Sequence, residues 1–377
     1  MKVDQFLFKE DEFKYSHENI EDKNSVSFVL VFAPRQEMES QGWLKGISEK
    51  YPQADIVSCS SSGEVYLSEV LDNSVTGMAV ALQKSSVEIH SMKLEDGDSS
   101  KALGERLSAG FTSTDLRHVL VFSDGWLING VELLEGMYRA LGRDVLISGG
   151  LAGDGANFSK TLVGLNGEID EGQVVAIGFY GQQIEIGFGS HGGWDVFGDS
   201  HIVTATEGRV IKAMDGKSPL SLYKQFMGDD ADGLPGAALL YPLSVVIPES
   251  ESPLVRTVYS IDEVLGHLII GQEIPVGTEV RFMKAEFDDL LNGSSQAVQK
   301  ALSTLNGVPE FCLVISCIGR KLLFDRKIEE EIASTQSVLG SEVPIGGFYS
   351  YGEICPAKRG LAELHHQMLA VTLIREN

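Results

Sequence analysis

HVLVF (His118–Phe122), NGVELLEGMYRALG (Asn129–Gly142), VLISGG (Val145–Gly150) and VVAIGF (Val174–Phe179) decide the reading of the fold. The first, third and fourth are unbroken apolar runs of strand length, and the second reads as a helix. Their order is strand, helix, strand, strand. The same order occurs upstream, where FVLVF from Phe28, IVSC from Ile56 and GMAVAL from Gly77 surround PRQEMESQGWLKGISEKYP. Within that segment Met38, Leu44, Ile47 and Tyr51 recur near helical spacing. It occurs again downstream as CLVIS from Cys312, LLFDRKIEEEIASTQSVLG from Leu322, VPIGGF from Val343 and MLAVTL from Met368. The last strand of each unit follows its predecessor without a long helix, which predicts antiparallel pairing. Between the second and third units, Ile184 to Phe287 is rich in β-branched residues and turns, with one short amphipathic helix from Ser218. The expected fold is α/β: two packed domains with mixed, largely antiparallel sheets built from three strand, helix, strand, strand units.

In each unit the second strand runs into small residues and then an acid. SCSSSGE ends at Glu64, SGGLAGD at Asp154 and GGFYSYGE at Glu353. This recurrence predicts three loops facing a common cavity.

The 377 residues are 43% hydrophobic and 22% charged, enough apolar content for packed cores and too much for a disordered chain. The 54 acids against 30 bases give a net charge of −24 with no basic patch, which excludes a nucleic-acid partner from the expectations. The start lacks the apolar core of a secretory signal. The longest apolar stretch, Gly236 to Pro248, is shorter than the roughly 18 residues a bilayer span needs. A cytoplasmic location without membrane insertion is expected. Four cysteines are too few for a disulfide framework.

Several chemistries fail on spacing. A dinucleotide loop starting at Gly153 ends on Phe158 instead of glycine, and the phosphate-loop spacing of Gly150 and Gly155 meets Ala156 where lysine is needed. Cys59 to Gly63 resembles a nucleophile elbow, but neither His90 nor His118 lies in a triad context. Cys312 and Cys317 fall on opposite faces of one strand, while Cys317 and Cys355 belong to the strand and the acid loop of one unit. A cysteine-dependent enzyme is the weakest of the readings. The eight histidines show no metal spacing, although a single histidine can hold haem without a local motif.

Seven motifs in order then resemble the bacterial FIST sensory family: SCSSSGEV (Ser58–Val65), SDGWLINGVELLEG (Ser123–Gly136), GGLAGDG (Gly149–Gly155), GSHGGWDVFG (Gly189–Gly198), SCIGRK (Ser316–Lys321), GGFYSYGEI (Gly346–Ile354) and ELHHQMLAVTL (Glu363–Leu373). The resemblance implies an N-terminal extension over 1–24, a FIST N-terminal domain over 25–217 and a C-terminal one over 218–377. It implies a sensor, not an enzyme, that binds a small ligand and regulates a histidine kinase, or a diguanylate cyclase or phosphodiesterase of cyclic-di-GMP signalling. Stand-alone NosP-type members bind haem and sense nitric oxide. On that pattern haem is the expected cofactor, and His191, His365 or His267 its iron ligand. The family usually carries asparagine where His366 stands. The alternative is an amino-acid-like ligand without haem, its carboxylate met by Arg320 and its ammonium by Glu353. In extended backbone Tyr349 and Tyr351 share a face, so both are expected to line one concave surface with Arg320 and Glu353. Glu64, Asp154 and His365 complete the candidate ligand site. Tyr351→Phe is expected to weaken binding while barely changing stability.

Overall fold

The computed structural model describes residues 1–111, 114–247, 253–357 and 361–377; Pro248 lies outside them. In every unit the central strand (Phe28–Ala33, Leu116–Ser123 or Phe311–Cys317) pairs in parallel with the second strand (Asp55–Ser60, Leu146–Leu151 or Ile345–Ser350). Its other edge pairs antiparallel with the third strand (Val75–Ala81, Gln173–Tyr180 or Leu369–Glu376). Both faces of these strands are covered, which is why they read as unbroken apolar runs instead of alternating ones. The crossing helix is continuous in the second unit, Gly130–Leu141, where the Asn129 side chain accepts from the amides of Val131 and Glu132. The first and third units divide it. Arg35–Ser40 and Leu44–Lys50 part at Gln41 (φ 53°), and Ile318–Phe324 and Ile328–Leu339 part at Asp325 (φ 47°).

A strand precedes each unit, Lys2–Lys9, Ser86–Lys93 and Ile184–His191, each antiparallel to the third strand; in the first sheet Glu12–Glu18 adds a further edge strand on Lys2–Lys9. Residues 1–24 are therefore built into the first sheet, with Phe6 buried and the buried Asp4 ion-paired to Lys23 at 2.6 Å.

Between its second and third strands each unit extends a hairpin, and each hairpin joins the sheet of another unit. The first unit's Glu64–Tyr66 pairs with Ile345–Ser350 of the third. The second unit's Val163–Leu165 pairs with Asp55–Ser60 of the first, and the third unit's Gly352–Pro356 with Leu146–Leu151 of the second. This cyclic exchange closes three sheets into a ring, so strand pairs tie the two halves of the chain together. At the centre Phe32, Phe122 and Phe348, one from each unit, pack with ring centroids 4.9 to 6.1 Å apart. Gly149 (φ 143°) and Gly347 (φ 153°) are required in the second strands: a Cβ there would stand 1.9 Å from Val121 O and 1.7 Å from Val314 O.

The insert forms its own seven-stranded antiparallel sheet between Asp195 and Lys284, with the Ser218-capped helix Pro219–Met227 packed on a core that includes Val203, Tyr223 and Phe282. No helix among the described residues is long and apolar enough to cross a membrane.

Candidate functional site

The three acid loops meet, but as a packed hub and not around a cavity. The Ser62 amide donates to Tyr349 O (2.8 Å), the Gly153 amide to Ser60 O (2.9 Å) and the Tyr351 amide to Leu151 O (3.1 Å), so each loop is sewn to the next. Glu64, Asp154 and Glu353 are 1%, 4% and 0% exposed. Glu353 accepts from Ser350 Oγ (2.7 Å) and the Met368 amide (3.2 Å), and Glu64 from Ser61 Oγ and the Ser74 amide. Burial outweighs these bonds and pushes both carboxyls up to about 8. Asp154 collects Tyr351 Oη, Ser159 Oγ (3.0 Å), the Lys160 amide (3.1 Å) and Arg35 Nη1 (3.2 Å).

Arg320 does not face a ligand, which corrects the expected carboxylate anchor. It is 0% exposed and donates through Nε to Glu331 (2.6 Å), through Nη1 to Gly192 O (2.6 Å), and through Nη2 to Leu290 O and Ser294 Oγ (both 2.9 Å). Tyr349 donates its hydroxyl to the same Glu331 at 2.7 Å, so this cluster locks the third unit's helices to its sheet. Tyr349 and Tyr351 do not share a surface either. The strand ends at Ser350, and Tyr351 turns away to Asp154 and to a ring stack on Phe158 (4.8 Å). Strand alternation stops predicting sides where the strand stops.

The nominated histidines lie apart. His191 Nδ1 accepts from the Gly193 amide (3.0 Å), and burial lowers its pKa. His267 opens a strand of the insert opposite Asp262. His365 Nε2 stands 3.7 Å from Glu363, and burial holds it down to about 3. Burial also pushes all four thiols up, Cys355 to about 11, which works against a nucleophilic role. No group of three or more metal-ligating side chains occurs among the described residues.

A narrow cleft opens where the second unit meets the insert and the third unit's acid loop. The space it encloses, about 20 Å³, is water-sized, so a larger ligand has to widen it. Tyr351, Phe158 and Tyr259 form one aromatic wall, with Phe158 to Tyr259 at 5.6 Å. Trp126 and the first residue of the Gly130–Leu141 helix also line it, and Gln272 Nε2 donates to Asn129 Oδ1 (3.1 Å), joining this helix to the insert. Arg209 and His366 complete the lining. His366 is 2% exposed, and its Nδ1 has no hydrogen-bond partner among the described residues. Burial, then Arg256 and Arg209, hold its pKa well below the usual range, so the ring is neutral. Of the residues proposed from the sequence, Tyr351 alone reaches this lining. Arg209, Tyr259 and Trp126 escaped because nothing in their local pattern marks a site. The HH pair did mark His366, as the position where the family's asparagine is replaced.

The two halves that enclose the cleft match models of signalling-sensor domains. The FIST N domain model matches residues 27–217 and the FIST C domain model residues 219–356. The chain belongs to the FIST family, whose domains are sensory modules for small ligands. Similar proteins include an uncharacterized protein of Mycobacterium tuberculosis (strain H37Rv), 27% identical over 166 residues, 42% of this chain and 43% of that protein. Another, from Mycobacterium bovis, is 23% identical over 166 residues with the same coverage. The chain thus spans less than half the length of the curated relatives it matches.

Proposed function

We propose that the chain is a cytoplasmic sensor whose small ligand occupies this cleft and whose occupancy is relayed by contact to a histidine kinase or a cyclic-di-GMP enzyme. The observation that carries the reading is the unpartnered, buried Nδ1 of His366 in a wall contributed by both FIST domains. Leaving such a group unbonded costs about 1–3 kcal/mol, which a ligand atom offsets. A shared wall also gives a bound ligand unequal contacts in different arrangements of the halves, the condition for shifting a switch.

Haem-based nitric oxide sensing is the finer reading, and the orphan imidazole is what favours it. In this reading the water-sized cleft would have to open for the macrocycle, and His366, kept neutral by burial, would be the iron donor with Arg209 as the propionate partner. Bound haem would supply the metal to which nitric oxide attaches. The haem-free alternative, an amino-acid-like ligand, uses the same cleft and no longer the Arg320 and Glu353 pair. Haem reconstitution of wild type and of the alanine variants of His366, His191, His267 and His365, followed by Soret absorbance, tests the haem reading. Loss of the band in His366→Ala alone supports it. No band in wild type removes haem, and thermal shifts with a small-molecule panel, abolished by Gly271→Ala, then support the cleft without it. The Gly271 Cβ would stand 2.8 Å from His366 Cε1 and 3.3 Å from Tyr259 Cζ, inside the cleft wall.

A further inference from the structure

We infer that the ligand taken by the cleft is an organic carboxylate on a planar, largely apolar body. The inference rests on the reading of the cleft as the ligand site and adds its chemical class. The chain carries a net charge of −24, yet none of the described residues lining the cleft is acidic. Arg209 is half-buried there and has neither an ion pair nor a side-chain hydrogen bond among the described residues. Behind the wall Arg256, 3% exposed, donates Nη1 only to the carbonyls of Val255 (3.1 Å) and Leu364 (3.0 Å). The carboxylate acting on Arg256 is Glu363, which does not line the cleft. Arg256 thus has Glu363 as its anion, whereas Arg209, acting on the same His366 ring, has no matched anion among the described residues, and a partly buried positive charge of this kind is favoured by a compensating anion.

A neutral imidazole has one N–H to give, which suits a carboxylate oxygen alongside Arg209. The body of the ligand is set by the aromatic wall. Tyr351, Phe158 and Tyr259 succeed one another at 4.8 and 5.6 Å, and Tyr259 lies 6.4 Å from the His366 ring. Such a wall accepts a flat apolar group by stacking.

The test is a titration of the full chain with benzoate and with benzamide, its neutral isostere, followed by the Trp126 indole and His366 ring signals in NMR. Benzoate is expected to shift both signals and to bind at least about ten-fold more tightly than benzamide, with Arg209→Gln erasing the difference. Equal binding of the two in the cleft, unchanged in Arg209→Gln, overturns the carboxylate assignment while leaving the site in place. Failure of both to move Trp126 or His366 overturns it as well. The reconstitution and Gly271→Ala experiments, which use other ligands, then decide the site reading separately.

Discussion

Two buried carboxyls held up to about 8 make folding stability fall on the alkaline side of neutrality. Glu64 and Glu353 have ordinary values of 4.5, raised in the fold because burial penalises the ionised form. Between these values the folded chain binds more protons than the unfolded one, so stability declines as pH rises. The contribution is complete below about 4.5 and is lost through about 8. At pH 7 a carboxyl of pKa 8 contributes about 1.4 kcal/mol relative to its ionised form, and at pH 8.5 about 0.2, so the pair loses roughly 2.5 kcal/mol across that interval. The assay is urea unfolding at pH 7, 7.75 and 8.5 for wild type and for Glu64→Gln/Glu353→Gln. The double variant is less stable in absolute terms, since an amide N–H faces the donor that each carboxyl now accepts from. Its pH dependence should nevertheless be flatter than wild type by about 2.5 kcal/mol, and each single variant by about half. Parallel curves for wild type and the double variant would refute the reasoning, because the hub would then hold ionised carboxylates.

Arg320→Met should cost about 3–5 kcal/mol by urea denaturation, because it strands the buried Glu331 carboxylate, while ligand affinity of the folded fraction stays unchanged. Tyr351→Phe should cost about 1–3 kcal/mol as well as weakening binding, since the hydroxyl serves both Asp154 and the Phe158 amide (3.0 Å). That replaces the sequence-based expectation of nearly unchanged stability. Removing residues 1–24 strips Lys2–Lys9 from Val75–Ala81 and bares the core beneath Phe6, so the truncated chain should be insoluble or lack native circular dichroism, where loss of a mere tail would leave it folded.

The repeats were legible because their strands are covered on both faces, and such strands show as apolar runs at any position in a chain. The third strands GMAVAL, VVAIGF and MLAVTL pair antiparallel as read. The hairpin exchange was not legible, since local spacing says that Glu64–Tyr66 is extended but not that its partner lies at Ile345–Ser350. The acid loops were located correctly and misread chemically. Small residues ending in an acid describe an open anion-lined cavity and a packed hub equally well, and only burial distinguishes them. Arg320 was drawn to the site by its type, although a guanidinium with four acceptors in reach is a structural strut. Arg209 lies in a plain turn of the insert, and its meaning depends on what is absent around it in space.

The most direct test is a crystal structure of the protein with the tightest-binding compound from the ligand panel. The predicted result is a ligand in the cleft, its polar group on Arg209 and His366 and its body against Phe158, Tyr259 and Tyr351. A ligand seated elsewhere, such as the open groove lined by Lys84, Glu88 and Tyr180, with the cleft closed around an unmoved His366, would contradict it.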